Sequence, residues 1–296
     1  MPYAPERMDS VVTRIGLAFA GLASAVCVGA LLYLLVSFFA LRRYAAARPW
    51  RRTLGSLLRE AVAIAVTQPM IPFFYLLGRR MGGAGAGRPI VFVHGYFQNR
   101  ADFLYLASAT RRAGLGPLYG FNYSWLASIP ACAERLGAFV ETVCAETGRS
   151  KVAIVGHSLG GLVALEYLGT EAGSARVERC VTIASPHAGV QWRGGMLGRA
   201  AKQLYAKSEY MRSRPVSAFP VPVMSIFSTH DNIVHPATTS ALVLRGGEDV
   251  AVDDIGHLGM LFSRQVAALT VRALEAPTPI EGAAVVGAPI DASPSG

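Results

Sequence analysis

Val152-Ala-Ile-Val-Gly-His-Ser158-Leu-Gly-Gly161 is a short apolar run that stops on a serine flanked by glycines. Val152 to Val155 reads as a buried strand and Gly160 to Leu168 as the helix that follows it. Between them, Gly156-His157-Ser158-Leu159-Gly160 fits G-x-S-x-G, a strand-to-helix turn so tight that its serine is pushed into a strained, exposed position. A Cβ at either flanking glycine would collide with the neighbouring strand or helix. Ser158 then stands at the tip of a sheet with a helix N-terminus beneath it. Alone the pattern carries little, because glycine-rich sequence produces it by accident and serine also caps ordinary helices. Its meaning depends on context: a strand ending in His-Gly upstream, then an acid and a histidine downstream in that order.

Outward from the elbow, strands and helices alternate. Strands are expected at 89–93, 118–123, 177–184, 221–227 and, briefly, 241–244, and helices at 101–113, 132–146 and from His257 to about Glu275. This order implies an α/β fold, with a mostly parallel sheet covered by helices on both faces. Met81-Gly-Gly-Ala-Gly-Ala-Gly87 reads as a flexible linker, so the domain is expected over 88–275. The stretch 276–296 is rich in Pro, Ala, Gly and Ser without periodicity and reads as a disordered tail.

The chain holds 296 residues, 52% hydrophobic and only 16% charged, which suggests that part of it meets lipid. Its net charge of +9 is concentrated before residue 88, where ten basic residues face three acids. Next to an apolar segment this excess reads as affinity for anionic headgroups, and no nucleic-acid motif appears. After a polar stretch at 1–14, Ile15 to Leu41 runs for 27 residues without a charge, long enough for a transmembrane anchor. Ala45-Ala46-Ala47 resembles a cleavage site, but the apolar region is too long for a signal peptide and Arg42-Arg43 intervenes. Within 42–87, Leu54, Leu57, Leu58, Ala61 and Ala65 share one helical face and Arg59 and Glu60 another, so 53–67 reads as an amphipathic helix. Ala61 to Leu77 as a second span is the alternative. One span leaves the domain cytoplasmic; two place it on the far side. The four cysteines are expected as unpaired thiols.

The set Val93-His94-Gly95-Tyr96, Gly156-His-Ser-Leu-Gly160, Ala184-Ser-Pro-His-Ala-Gly189, His230-Asp231 and Gly256-His257 resembles the α/β-hydrolase superfamily, closest to the compact bacterial lipases and esterases. The resemblance implies Ser158 as nucleophile, His257 as general base and acid, and Asp231 as the group that orients the histidine. Three groups are needed because a serine hydroxyl barely ionises at neutral pH. An imidazole must take its proton, and a carboxylate must hold that imidazole in the right tautomer. Asp253 and Asp254 are the alternative acids. The resemblance also implies an oxyanion hole of the Tyr96 and Leu159 backbone amides, with Phe97 as the alternative to Tyr96. His187 and Trp192 are candidate substrate contacts, and 190–219, rich in apolar and basic residues, is a candidate lid.

Together these features imply a membrane-anchored serine hydrolase of carboxylic, lipid-like acyl esters, working through an acyl-enzyme at a bacterial inner membrane. No cofactor and no metal ligand cluster is expected. Two rivals use the same residues or the same fold: an acyltransferase with the same triad, and a non-catalytic binding module.

Overall fold

The computed structural model describes residues 5–42, 50–67, 79–83, 87–191, 197–215 and 217–276, apart from a number of side chains in the first helix. Among the described residues, seven strands form one sheet in the order β1-β3-β2-β4-β5-β6-β7: β1 Arg80–Gly82, β2 Ile90–Val93, β3 Leu118–Phe121, β4 Val152–His157, β5 Val177–Ile183, β6 Val223–Ser228 and β7 Glu248–Val252. Only β1 runs antiparallel, against β3; the other pairings are parallel. The central strands β2 and β4 are buried throughout, because helices cover both faces of a parallel sheet.

The period-2 alternation of side chains divides the core in two. Val91, Val93, Val152 and Ile154 point to one side, against helices α4 (Ile129–Thr147) and α5 (Leu159–Leu168). Ile90, Phe92, Ala153 and Val155 point to the other, against α3 (Leu104–Arg112) and α9 (Arg264–Glu275). Local chemistry sets the helix ends. Ser128 caps α4 by accepting from the Ala131 amide, Pro130 sits in its first turn, and Gly148 closes it in the left-handed region. Ser263 caps α9 in the same way through the Val266 amide.

Three expected elements are corrected. Met81 and Gly82 belong to β1 rather than to a linker, held by pairing with β3; within the rest of the expected linker, 84–86 lie outside the described residues. The stretch 241–244 is no strand. Val243–Arg245 forms a 3-10 turn, and the edge strand is β7, whose charged start at Glu248 and Asp249 hid it. The last helix begins at Arg264, so His257 stands in a loop, followed by the 3-10 turn Gly259–Phe262.

The N-terminal region departs most from expectation. Helix α1 spans Pro5–Leu41 and α2 spans Trp50–Thr67. Among the described residues no helix is long and apolar enough to cross a membrane, so the expected transmembrane anchor at 15–41 gains no support. Instead the end of α1 is docked onto protein. Leu34, Phe38 and Leu41 are buried in a small cluster with Leu57, Ala61 and Ile64 of α2, and the Phe38 ring meets His230 edge-on at 6.3 Å. Helix α2 buries a stripe that carries polar side chains. Ser56, Glu60, Ala63 and Thr67 are buried at helical spacing, while Leu54, Leu58, Val62 and Val66 are exposed. Glu60, expected on the solvent face, is 2% exposed. The second-span reading falls partly on 68–78, and the tail on 277–296; both lie outside the described residues. Cys132, Cys144 and Cys180 are free and buried, and Cys27 is free and partly exposed.

Candidate active site

The elbow forms because three glycines let strand, turn and helix approach within van der Waals distance of one another. A Cβ on Gly160 would lie 2.0 Å from the Val93 carbonyl oxygen, one on Gly161 2.0 Å from Ser185 Oγ, and one on Gly156 2.6 Å from the Gly161 backbone. Ser158, caught between β4 and α5, takes φ 53° and ψ −122°, a left-handed conformation that costs a non-glycine residue about 1–3 kcal/mol. Its side chain makes no capping hydrogen bond to α5, so the hydroxyl is not committed to holding the helix.

His257 reaches the same place from the loop between β7 and α9. Its Nδ1 lies 2.8 Å from Asp231 Oδ2, and the pair is nearly sealed, with side chains 12% and 2% exposed. Asp231 is itself fixed: its Oδ1 accepts from the amides of Ile233 and Val234, both at 2.8 Å. Burial opposes the charged imidazole of His257, but the Asp231 carboxylate, its hydrogen bond and the Glu60 carboxyl together raise the His257 pKa above its ordinary value. The other expected acids face elsewhere. Asp254 pairs with Arg52 at 3.2 Å, and Asp253 accepts from the Thr229 hydroxyl.

Ser158 and His257 both line a cavity of about 450 Å³. Its walls are mostly apolar and include the aromatic Tyr96, Phe97 and Trp125, the aliphatic Val190, Leu197 and Leu204, and Ala30, Leu34 and Val36 of α1. Trp125 packs edge-on against Tyr96 at 4.8 Å and Phe97 at 5.3 Å. The described part of 190–219 contributes Val190, Leu197 and Leu204 to the lining, and the Tyr96 hydroxyl donates to the Leu197 carbonyl at 2.8 Å and accepts from its amide at 2.7 Å. At the turn after β2, the Gly95 amide is already given to Gln98 Oε1 at 2.6 Å. Leu159 is the first residue of α5, where an amide has no acceptor within the helix.

Of the two other expected contacts, His187 is not among the residues that line this cavity. His187 turns inward, its Nε2 2.9 Å from Thr182 Oγ1 and its carbonyl accepting from Arg214 at 2.8 Å. Trp192 lies outside the described residues. In turn, the sequence reading missed Trp125, Gln98 and Asn232. Gln98 Oε1 also stands 2.9 Å from His157 Nδ1, and His157 Nε2 lies 3.1 Å from the His257 carbonyl oxygen. Asn232 Oδ1 accepts from the His257 amide at 2.9 Å. Its place directly after the candidate acid was the one available signal. Among the described residues no group of His, Cys, Asp and Glu is gathered as metal ligands would be.

Residues 88–221 match the family described as the alpha/beta hydrolase fold. Among solved structures, lipase B of Aspergillus fumigatus superposes with a TM-score of 0.58 at 20% identity, over 67% of this chain and 54% of that one. The chain therefore spans about half the length of that lipase. The mature form of the Bacillus licheniformis lipase BlEst2 gives a TM-score of 0.52 at 17% identity, over 61% of this chain and 89% of that one. A type II thioesterase, BorB, from the borrelidin biosynthetic cluster gives 0.51 at 18% identity, over 68% and 97%. At such identities the likeness is one of fold.

Proposed function

We propose, from the premise that this chain belongs to the α/β-hydrolase superfamily, that it is a serine hydrolase of carboxylic esters with an apolar acyl chain, acting at a lipid surface. The observation that carries this reading is that Ser158 on its strained turn and His257, whose Nδ1 is held by Asp231, line one apolar cavity. In the mechanism, His257 Nε2 takes the proton of Ser158 as the hydroxyl attacks the ester carbonyl. The resulting oxyanion is stabilised by the Leu159 and Tyr96 amides. His257 then gives the proton to the leaving alcohol, and water repeats the sequence to release the acid. With the Gly95 amide engaged by Gln98, Tyr96 is the donor favoured on that side, and Phe97 is the neighbour that could replace it. The aromatic and aliphatic walls suit an acyl chain, and the polar groups of the mouth are few.

The test is hydrolysis of a p-nitrophenyl ester series, short to long, by the full chain, together with labelling by a serine-directed phosphonate. A phosphonate adduct on Ser158 with turnover of medium or long esters is expected. A folded protein that takes no label would turn the reading toward a binding module, and label without hydrolysis would turn it toward acyl transfer to an alcohol.

The lipid surface enters through the outer faces of the two N-terminal helices. Leu32, Leu35 and Phe39 of α1, and Leu54, Leu58 and Val62 of α2, are each 42–66% exposed, and Arg42, Arg51, Arg52 and Arg59 flank them. Exposed apolar side chains bordered by arginines fit the interface of an anionic bilayer. Leu58→Asp combined with Val62→Asp is expected to lower flotation of the full chain with phosphatidylglycerol vesicles by about tenfold, while turnover of a soluble short ester is kept. Unchanged flotation would remove this surface from the proposal.

A further inference from the structure

Glu60 is a carboxylic acid in a place where a packed helix would ordinarily put an apolar residue. It projects from α2, outside the domain that carries the triad, and reaches the loop of His257. Its Oε2 accepts from the Leu258 amide at 3.0 Å, and its Oε1 accepts from the Gly259 amide. Two glycines make room for it: a Cβ on Gly256 would lie 2.4 Å from Glu60 Cγ, and one on Gly259 2.7 Å from Oε1. The sequence Gly256-His257-Leu258-Gly259 is therefore shaped around this carboxyl as well as around the histidine. Helix α1 holds the same loop by a second route, since Ser37 Oγ accepts from Asn232 Nδ2 at 2.8 Å while Asn232 Oδ1 accepts from the His257 amide.

We propose that Glu60 is a positioning residue for His257, and that the N-terminal helix pair thereby completes an active site which the domain from residue 88 on does not complete alone. The inference rests on the reading of His257 as the base that activates Ser158. The physical ground is that three consecutive amides, of His257, Leu258 and Gly259, face acceptors supplied by or tied to α1 and α2. Without these acceptors the amides would be buried and unpaired or the loop would move, and a displacement of about 1 Å in a catalytic base costs about 10²-fold in rate.

The charge of Glu60 adds a signature that packing alone would not leave. Burial, opposed by the Gly259 amide, His257 and the Leu258 amide, pushes the Glu60 carboxyl up to about 7. As an anion it favours the imidazolium of His257. Among the described residues, the other titratable groups facing His257 are Asp231 and, 4.8 Å away between ring centres, His157, which burial holds well below the ordinary histidine value. The nearby arginines are engaged elsewhere: Arg59 donates to the Gly55 carbonyl at 3.1 Å, and Arg52 pairs with Asp254.

The experiment compares full-length wild type, Glu60→Ala and Glu60→Gln in ester turnover across pH, and follows the His257 imidazole by NMR titration, assigned by its loss in His257→Asn. Glu60→Ala is expected to lose about 10²-fold in kcat with KM within about threefold. Glu60→Gln keeps one acceptor but sets an NH2 against an amide, and is expected to lose about tenfold. In both, removal of the anion moves the His257 titration, and the acid limb of kcat/KM, to lower pH. If the alanine variant does not fold, the near-isosteric glutamine variant decides. Folded variants with wild-type kcat and an unmoved His257 titration overturn the proposal. Were the wild type inactive on every ester, the functional reading would fall, and the NMR titration would still show whether Glu60 holds the histidine.

Discussion

Ser158→Ala is expected to lower kcat for ester hydrolysis by about 10⁴-fold or more while leaving the protein folded with an unchanged melting temperature. The loss is large because the substitution removes the hydroxyl that would form the acyl bond and leaves the imidazole with water to activate. The fold survives because the hydroxyl has no structural partner on α5 and the backbone strain at φ 53° is the same for alanine as for serine. The site would still bind substrate through its apolar walls, so KM is expected to stay within about threefold. Steady-state kinetics on a p-nitrophenyl ester by the full chain, with circular dichroism melting of both proteins, provides the check. A variant that keeps a tenth of wild-type turnover would rule out Ser158 as the nucleophile and send the search to another hydroxyl lining the cavity.

The parts of this site that were legible in the sequence are those built from neighbours in the chain. A strand, a Gly-flanked serine and a helix within ten residues can only form a tight turn, because every glycine there meets backbone or side chain at less than about 3 Å once a Cβ is added. The Asp231–His257 pair was legible as order along the chain, and its geometry places the two side chains in hydrogen-bond contact. The contribution of the N-terminal helices was not legible. Helical periodicity sets Leu54, Leu57, Leu58, Ala61 and Ala65 on one face of an amphipathic helix and Glu60 on another, polar face. The structure leaves Leu54 and Leu58 exposed, packs Leu57 and Ala61 against the end of α1, and buries Ser56, Glu60 and Thr67. Periodicity shows that a helix has two faces but not which one meets protein. His187 misled for a related reason: a histidine in a loop after a core strand can face the cavity or the core, and Thr182 holds it to the core. The edge strand β7 escaped because a strand paired on one side only tolerates charge at its start, whereas the apolar stretch 241–244 only imitates a buried strand.

Asp231→Asn is expected to cost about 10⁴-fold in kcat, and the two amides that fix the carboxyl explain why so conservative a change costs so much. The Asp231 side chain accepts from Ile233 and Val234 through Oδ1 and from His257 Nδ1 through Oδ2. An asparagine must keep its oxygen toward the two amide donors, because turning its NH2 there would oppose donors to donors at two buried positions. The NH2 then faces His257 Nδ1. That nitrogen can accept only if it is unprotonated, which places the imidazole proton on Nε2, on the side of Ser158, where a base is required. The histidine would be held in place in the wrong tautomer. The same substitution removes the anion that, against the effect of burial, raises the His257 pKa. Because activity requires the neutral imidazole, the residual activity is expected to persist to lower pH than in the wild type, with its acid limb shifted down. Asp253→Asn and Asp254→Asn, whose carboxylates meet Thr229 and Arg52, are expected to stay within about threefold of wild type, since an exposed pair contributes little. A pH series of kcat/KM on the three variants measures both effects. Turnover within tenfold of wild type in Asp231→Asn, or a collapse in Asp254→Asn, would reassign the acid of the triad.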